Sequence, residues 1–137
     1  MYDTILVSVD GSDGSNRAIE HALTLAERFD ATVHALYVVD THRYGETALS
    51  SAELVISELE DRGAALLDEL AANADNRGVA VETRCCHGLP SAEILEHAAR
   101  VDADVVVLGS RGHSRRPTLG SVADRVVTHA DRPVFVV

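Results

Sequence analysis

Two Gly/Ser-rich stretches carry the residue types that could do chemistry in this chain. The first is VSVDGSDGSN, Val7 to Asn16, with a carboxylate at Asp10 and hydroxyls at Ser12 and Ser15. The second is LGSRGHSRRPTLGSV, Leu108 to Val122, which holds three glycines, three serines, one threonine, three arginines and one proline. Glycine lets a backbone approach a ligand closely, and a helix start offers free N–H groups and a favourable dipole to an anion. The chemistry these stretches suit is therefore the holding of an anion or a nucleotide.

Each residue also has a plainer role. Asp10 has two open readings, an Asx turn onto nearby backbone N–H groups or contact with a ligand. Ser12 and Ser15 read as helix caps rather than nucleophiles. Ser121 stands three before Asp124, the spacing of a capping box, so it reads as a cap whose hydroxyl can also face a phosphate. Arg111, Arg115 and Arg116 offer charge to phosphates, but each singly reads as a solvated loop residue, and so does His113. The dinucleotide fingerprint G-x-G-x-x-G is absent, and a chain without Lys cannot complete a Walker A loop. No His stands beside a Ser or Cys in a nucleophile-elbow context.

The elements that must position these loops alternate along the chain. Short apolar runs at Thr4–Val9, Ala31–Val39, Val79–Cys86, Asp104–Leu108 and Pro133–Val137 read as strands. The run at Asp104–Leu108 is continuous and β-branched, which predicts burial on both faces. Helical spacing follows each of the first four. Ala18, Ala22, Leu25 and Phe29 form the first stripe, with Ile19, Leu23 and Ala26 beside it. Val55, Leu59, Leu66, Leu70 and Ala74 form the second. Pro90 opens the third helix, where its missing N–H costs nothing, and SVADRVVTHA is the fourth. Such βα alternation predicts a parallel sheet with helices on both faces. Ligands bind such sheets beyond the carboxyl ends of the strands, where strand order reverses. The strands ending at Val9 and Leu108 are the candidates to flank that point.

Length and composition set the outer bounds. The 137 residues make one domain, spanning 1–137 and large enough to bury roughly two-thirds of its unfolded surface. Acidic residues number 22 and basic residues 12, for a formal net charge of -10. That excess predicts repulsion of nucleic acid and of anionic membranes. All the basic residues are Arg. An acidic surface without Lys resembles adaptation to a salty cytoplasm, as in haloarchaea; a GC-rich genome is the alternative source of the bias. Cys85 and Cys86 are adjacent, form no CxxC, and read as reduced strand thiols. No apolar run reaches the length of a membrane span, and the N-terminus enters a strand pattern directly, so a cytoplasmic location is expected.

Five motifs together resemble the universal stress protein family from end to end. They are ILVSVDGS at the start, LYVVD at Leu36–Asp40, VVVLGSRGHS at Val105–Ser114, LGSVADRVV at Leu119–Val127, and RPVFVV at the end. The resemblance implies a Rossmann-like open sheet of five parallel strands in the order 3-2-1-4-5. It also implies ATP, alone or with Mg2+, as the bound cofactor, since ATP-binding members carry G-x2-G-x9-G-[ST]. On that resemblance Ser8, Val9 and Asp10 meet the nucleoside, and the backbone of Val38 meets adenine. Leu108 and Gly109 lie beside the ribose and phosphates. Gly112, Gly120, Ser121 and Val122 wrap the phosphates. One departure is clear: seven residues, HSRRPTL, separate Gly112 from Gly120 where the pattern has nine.

The expected function is an adenine-nucleotide-binding regulatory module in stress response, with slow ATP hydrolysis at most incidental. The alternative is a dimer of the same fold that binds no ATP and acts through protein partners. An enzyme is the third reading, and the signatures of related nucleotide-using enzymes are missing. The apolar final strand is an edge that invites pairing with a second copy, and the resemblance points to the same strand as the homodimer contact.

Overall fold

The computed structural model describes residues 1–41, 49–111 and 119–137, with the side chains of residues 49–52 left aside. The elements follow the expected order: β1 (Thr4–Ser8), α1 (Asp13–Phe29), β2 (Thr32–Asp40), α2 (Leu49–Asn76), β3 (Ala80–Gly88), α3 (Pro90–Arg100), β4 (Val105–Leu108), α4 (Ser121–His129) and β5 (Val134–Val136). All strand pairs are parallel, and the sheet order is β3-β2-β1-β4-β5. This is the Rossmann-like arrangement, and order reverses between β1 and β4.

Strand periodicity builds two cores from one sheet. Ile5, Val7, Val33, Ala35, Val105 and Val107 face α1 and α2. Leu6, Leu36, Val106 and Leu108 face α3 and α4. Successive side chains of a strand point to opposite faces, so every residue of β4 is buried on one side or the other. That is why Val105–Leu108 shows no alternation of polarity.

The helix stripes run slightly off the expected lines. In α1 the buried apolar side chains are Ala18, Ala22, Leu23 and Ala26, whereas Phe29 is 43% exposed. Phe29 instead meets the Tyr2 ring edge-on at 5.0 Å. In α2 the stripe passes through Gly63, Leu67, Leu70 and Ala74. Tyr37 lies so close to Gly63 that an added Cβ would come within 2.4 Å of Tyr37 Cδ1. Hydrophobicity alone gave no reason to draw the stripe through a glycine; the Tyr37 ring supplies it.

Asp104 ties the beginning of β1 to the beginning of β4. Its Oδ2 accepts the backbone N–H groups of Asp3 and Thr4 at 2.7 and 2.9 Å. The bond from Thr4, then that from Asp3, holds this carboxyl below the usual carboxylate range. The two strands that flank the order reversal are thus fixed at their far ends. Cys85 and Cys86 are free and lie on edge strand β3. Burial raises both thiols above their ordinary range, with Glu60 adding to the effect at Cys85 and Glu93 at Cys86. No helix of the described residues is long and apolar enough to cross a membrane.

Candidate functional site

A cavity of about 480 Å³ opens at the carboxyl ends of β1, β2 and β4. That size falls within the range of small-molecule sites. Ser8, Val9 and Asp10 line it from β1, Val38 from β2, and Leu108 and Gly109 from β4. Gly120, Ser121 and Val122 line it from the start of α4. Nine of the ten expected residues therefore share one cavity. The tenth, Gly112, lies outside the described residues, as do His113, Arg115 and Arg116.

The β1–α1 junction is closed by its own side chains. Asp10 Oδ1 accepts the N–H of Ser12 at 2.8 Å, which makes the Asx turn. Ser12 Oγ accepts the N–H of Ser15 at 3.1 Å and caps α1. Ser15 Oγ accepts the N–H of Asp10 at 3.0 Å and completes the circuit. Both serines are buried. Gly11 sits in this turn with φ +83°, a conformation that L side chains avoid. The cap role expected of Ser12 holds. Asp10 makes the turn and also lines the cavity, so its two readings coexist.

The β4–α4 junction is built differently. Gly109 passes the first turn of α1 so closely that an added Cβ would lie 2.5 Å from the carbonyl carbon of Gly14. Glycine is required there by packing before any ligand is considered. Ser110 O accepts the N–H of Gly120 at 2.6 Å, and Ser110 N–H donates to Val137 O at 2.8 Å. The two ends of the shortened loop are thereby pinned to each other and to the strand-end residue beyond β5.

The expectation for Ser121 needs correcting. The N-cap of α4 is Gly120, with extended backbone at φ -66° and ψ 159°, and no side chain caps the helix. Ser121 is the first helical residue and is exposed. A hydroxyl one residue inside the helix is misplaced to accept from N2 or N3, so the capping-box spacing is not used. The first N–H groups of α4 have no intrahelical acceptor and no side-chain cap among the described residues, at a helix start that lines the cavity. The α3 start is also without a side-chain cap: Leu89 is its N-cap and Pro90, which lines the cavity, its first residue.

The sequence reading missed several lining residues. Tyr37 and Asp40 flank Val38 on β2, and Ser110 follows Gly109; Arg111, weighed from the sequence as a phosphate contact or a solvated loop residue, lines the cavity too. Asp40 was legible in principle, as the polar end of a strand whose carboxyl end faces the site. Leu59 and Arg62 come from α2, and nothing local marks them. Asp10, Tyr37, Asp40 and Arg111 all make further interactions. No group of three or more His, Cys, Asp or Glu residues among the described ones is placed to hold a metal ion.

Comparison with known proteins agrees with this geometry. The family model described as the universal stress protein family matches residues 1–137. A universal stress protein of Methanocaldococcus jannaschii is 40% identical over 140 residues, covering 100% of this chain and 82% of the relative. One solved structure, a hypothetical protein whose biochemical function was assigned from its structure, superposes with a TM-score of 0.92. It is 24% identical over 100% of this chain and 96% of its own, a likeness that shows the fold. A universal stress protein in complex with cAMP superposes with a TM-score of 0.73 at 28% identity, over 99% of this chain and 96% of the other.

Proposed function

Since the chain belongs to the universal stress protein family, we propose that it is a regulatory module of a stress response that binds an adenine nucleotide, with ATP as the ligand. The observation that carries this reading is the α4 start. Its uncapped N–H groups open into a cavity that nine of the ten expected residues share. A helix N-terminus with free donors is a ready anion site. The cAMP complex of a relative supports the adenine part of the assignment. Ser8, Val9, Asp10 and Val38 hold the nucleoside, and Leu108 with Gly109 flanks the ribose. Gly112, Gly120, Ser121 and Val122 hold the phosphates. Mg2+ would enter on those phosphates, as this ion commonly does.

The protein is read as a binder and not as a turnover enzyme, with any ATP hydrolysis slow and incidental. Ser12 and Ser15 both accept backbone N–H groups, and Cys85 and Cys86 lie outside the cavity lining, which supports that reading. The test is calorimetric titration of ligand-stripped protein with ATP, AMP and adenosine. Binding of ATP at or below millimolar concentration is expected. If none of the three binds, the nucleotide reading falls. The second reading, a dimer acting through protein partners without ATP, then stands, favoured by the loop two residues shorter than the family pattern.

The homodimer is proposed through β5. That strand pairs on one side with β4, and Val136 is 36% exposed. An unpaired apolar edge is a template for a second copy. Val136→Glu should give monomers by light scattering, and a monomeric wild-type protein would overturn the assignment. A cytoplasmic, high-salt setting completes the reading. With a net charge of -10, self-repulsion should relax as salt screens it, so the thermal midpoint should climb from low salt to molar KCl. A flat or falling midpoint would count against that setting.

A further inference from the structure

Arg62 is a charged residue of the cavity for which the family pattern offers no role. It comes from the middle of α2, one turn beyond Leu59, and both line the cavity. Its Nη2 lies 2.9 Å from where a Cβ on Gly11 would stand. The guanidinium thus occupies the space that a side chain at position 11 would need, against the turn that follows Asp10. Among the described residues it joins no ion pair, on a chain with 22 acidic and 12 basic groups. Leu59, Tyr37 and Val38 give the cavity an apolar and aromatic stretch, and the carboxylates Asp10 and Asp40 line it as well. The phosphate-facing end of the cavity is made by other elements, the β4–α4 junction and Arg111.

A planar cation at the edge of an apolar slot is suited to the face of an aromatic heterocycle. We propose that Arg62 is a determinant of nucleoside affinity, its guanidinium packing on the base and not on the phosphates. This inference rests on the nucleotide reading above. It makes α2 a third wall of the site, besides the β1–α1 and β4–α4 junctions. It also couples position 11 to the site: a side chain there would displace the guanidinium.

Titration of wild type and Arg62→Met with adenosine, AMP and ATP tests the proposal. Methionine keeps a long apolar stem and suits a helix, so the circular-dichroism spectrum should be unchanged. The expected result is a Kd raised by the same factor, about fivefold or more, for all three ligands. A loss confined to AMP and ATP would make Arg62 a phosphate contact and overturn the proposal. Unchanged affinity for all three would make it a solvated helix residue and overturn it equally. Failure of the wild-type protein to bind any of them removes the nucleotide reading itself, an outcome distinct from the other two.

Discussion

The β1–α1 and β4–α4 junctions are made of the same small residues, stand side by side at one cavity, and are completed in opposite ways. The first holds Asp10, Gly11, Ser12, Gly14 and Ser15, and spends its oxygens on its own backbone: Asp10 on Ser12, Ser12 on Ser15, Ser15 on Asp10. The second holds Gly109, Ser110, Gly120 and Ser121, and pins its two ends together through the bond from Gly120 N–H to Ser110 O. It puts a glycine at the cap and, among the described residues, gives the first donors of α4 no side-chain cap. The difference lies in one position. A serine at the N-cap satisfies a helix start locally, whereas a glycine at the N-cap leaves the N–H groups to a ligand. The closed junction is a rigid wall, and the open one is where an anion can be held.

Four substitutions sharpen or break this comparison. The largest effect is expected from Gly109→Ala, because its Cβ would meet backbone, not a movable side chain. A loss of about 3 kcal/mol or outright failure to fold is expected, read from the urea midpoint. A change under about 0.5 kcal/mol would mean that the two junctions do not touch as described. Gly120→Val comes next. Its Cβ would lie 3.1 Å from Arg111 Cα and 3.2 Å from Ser110 O, so the branched side chain should spring the clamp. ATP binding should vanish while the helical circular-dichroism signal persists; retained binding would show that the clamp does not shape the site. The effect runs through the 110–111 backbone and not through direct blockage of the anion space.

Ser12→Ala removes a cap that is used. It should lower stability by about 1 kcal/mol, and nucleotide affinity should change little. Ser121→Ala should do the reverse. Its stability cost should stay within about 0.5 kcal/mol, because Ser121 is exposed and caps nothing. Loss of one hydroxyl contact should weaken ATP about fivefold. If the two serines exchanged these signatures in thermal melts and titrations, the distinction between a closed and an open junction would be lost.

Much of the site was legible because its residues sit at strand ends. Asp10, Val38 and Leu108 were placed by a general property of parallel sheets, that ligands lie beyond carboxyl ends, together with the likeness to one family. Ser12 as a cap was legible because capping is a matter of neighbouring residues. Ser121 was misread for the same reason. Capping-box spacing describes Ser121 and Asp124, but where α4 begins is decided by the bond from Gly120 to Ser110, ten residues earlier. Arg62 and Leu59 could not be read as site residues at all, because α2 meets the cavity only through its packing against β3 and β2.

The sequence by itself determined the order of elements, the parallel sheet and the two-faced burial of β4. Those follow from the side-chain periods of helix and strand, which are properties of residues within a few positions of one another. Only the tertiary structure decided which glycines are required by packing and which by a loop, where α4 starts, and which helix lends the cavity a guanidinium. The Gly109–Gly14 contact joins residues 95 apart, and the Arg62–Gly11 contact residues 51 apart. Distances of that kind are fixed by how helices seat on the sheet, and no local pattern of hydrophobicity, turn or cap encodes them.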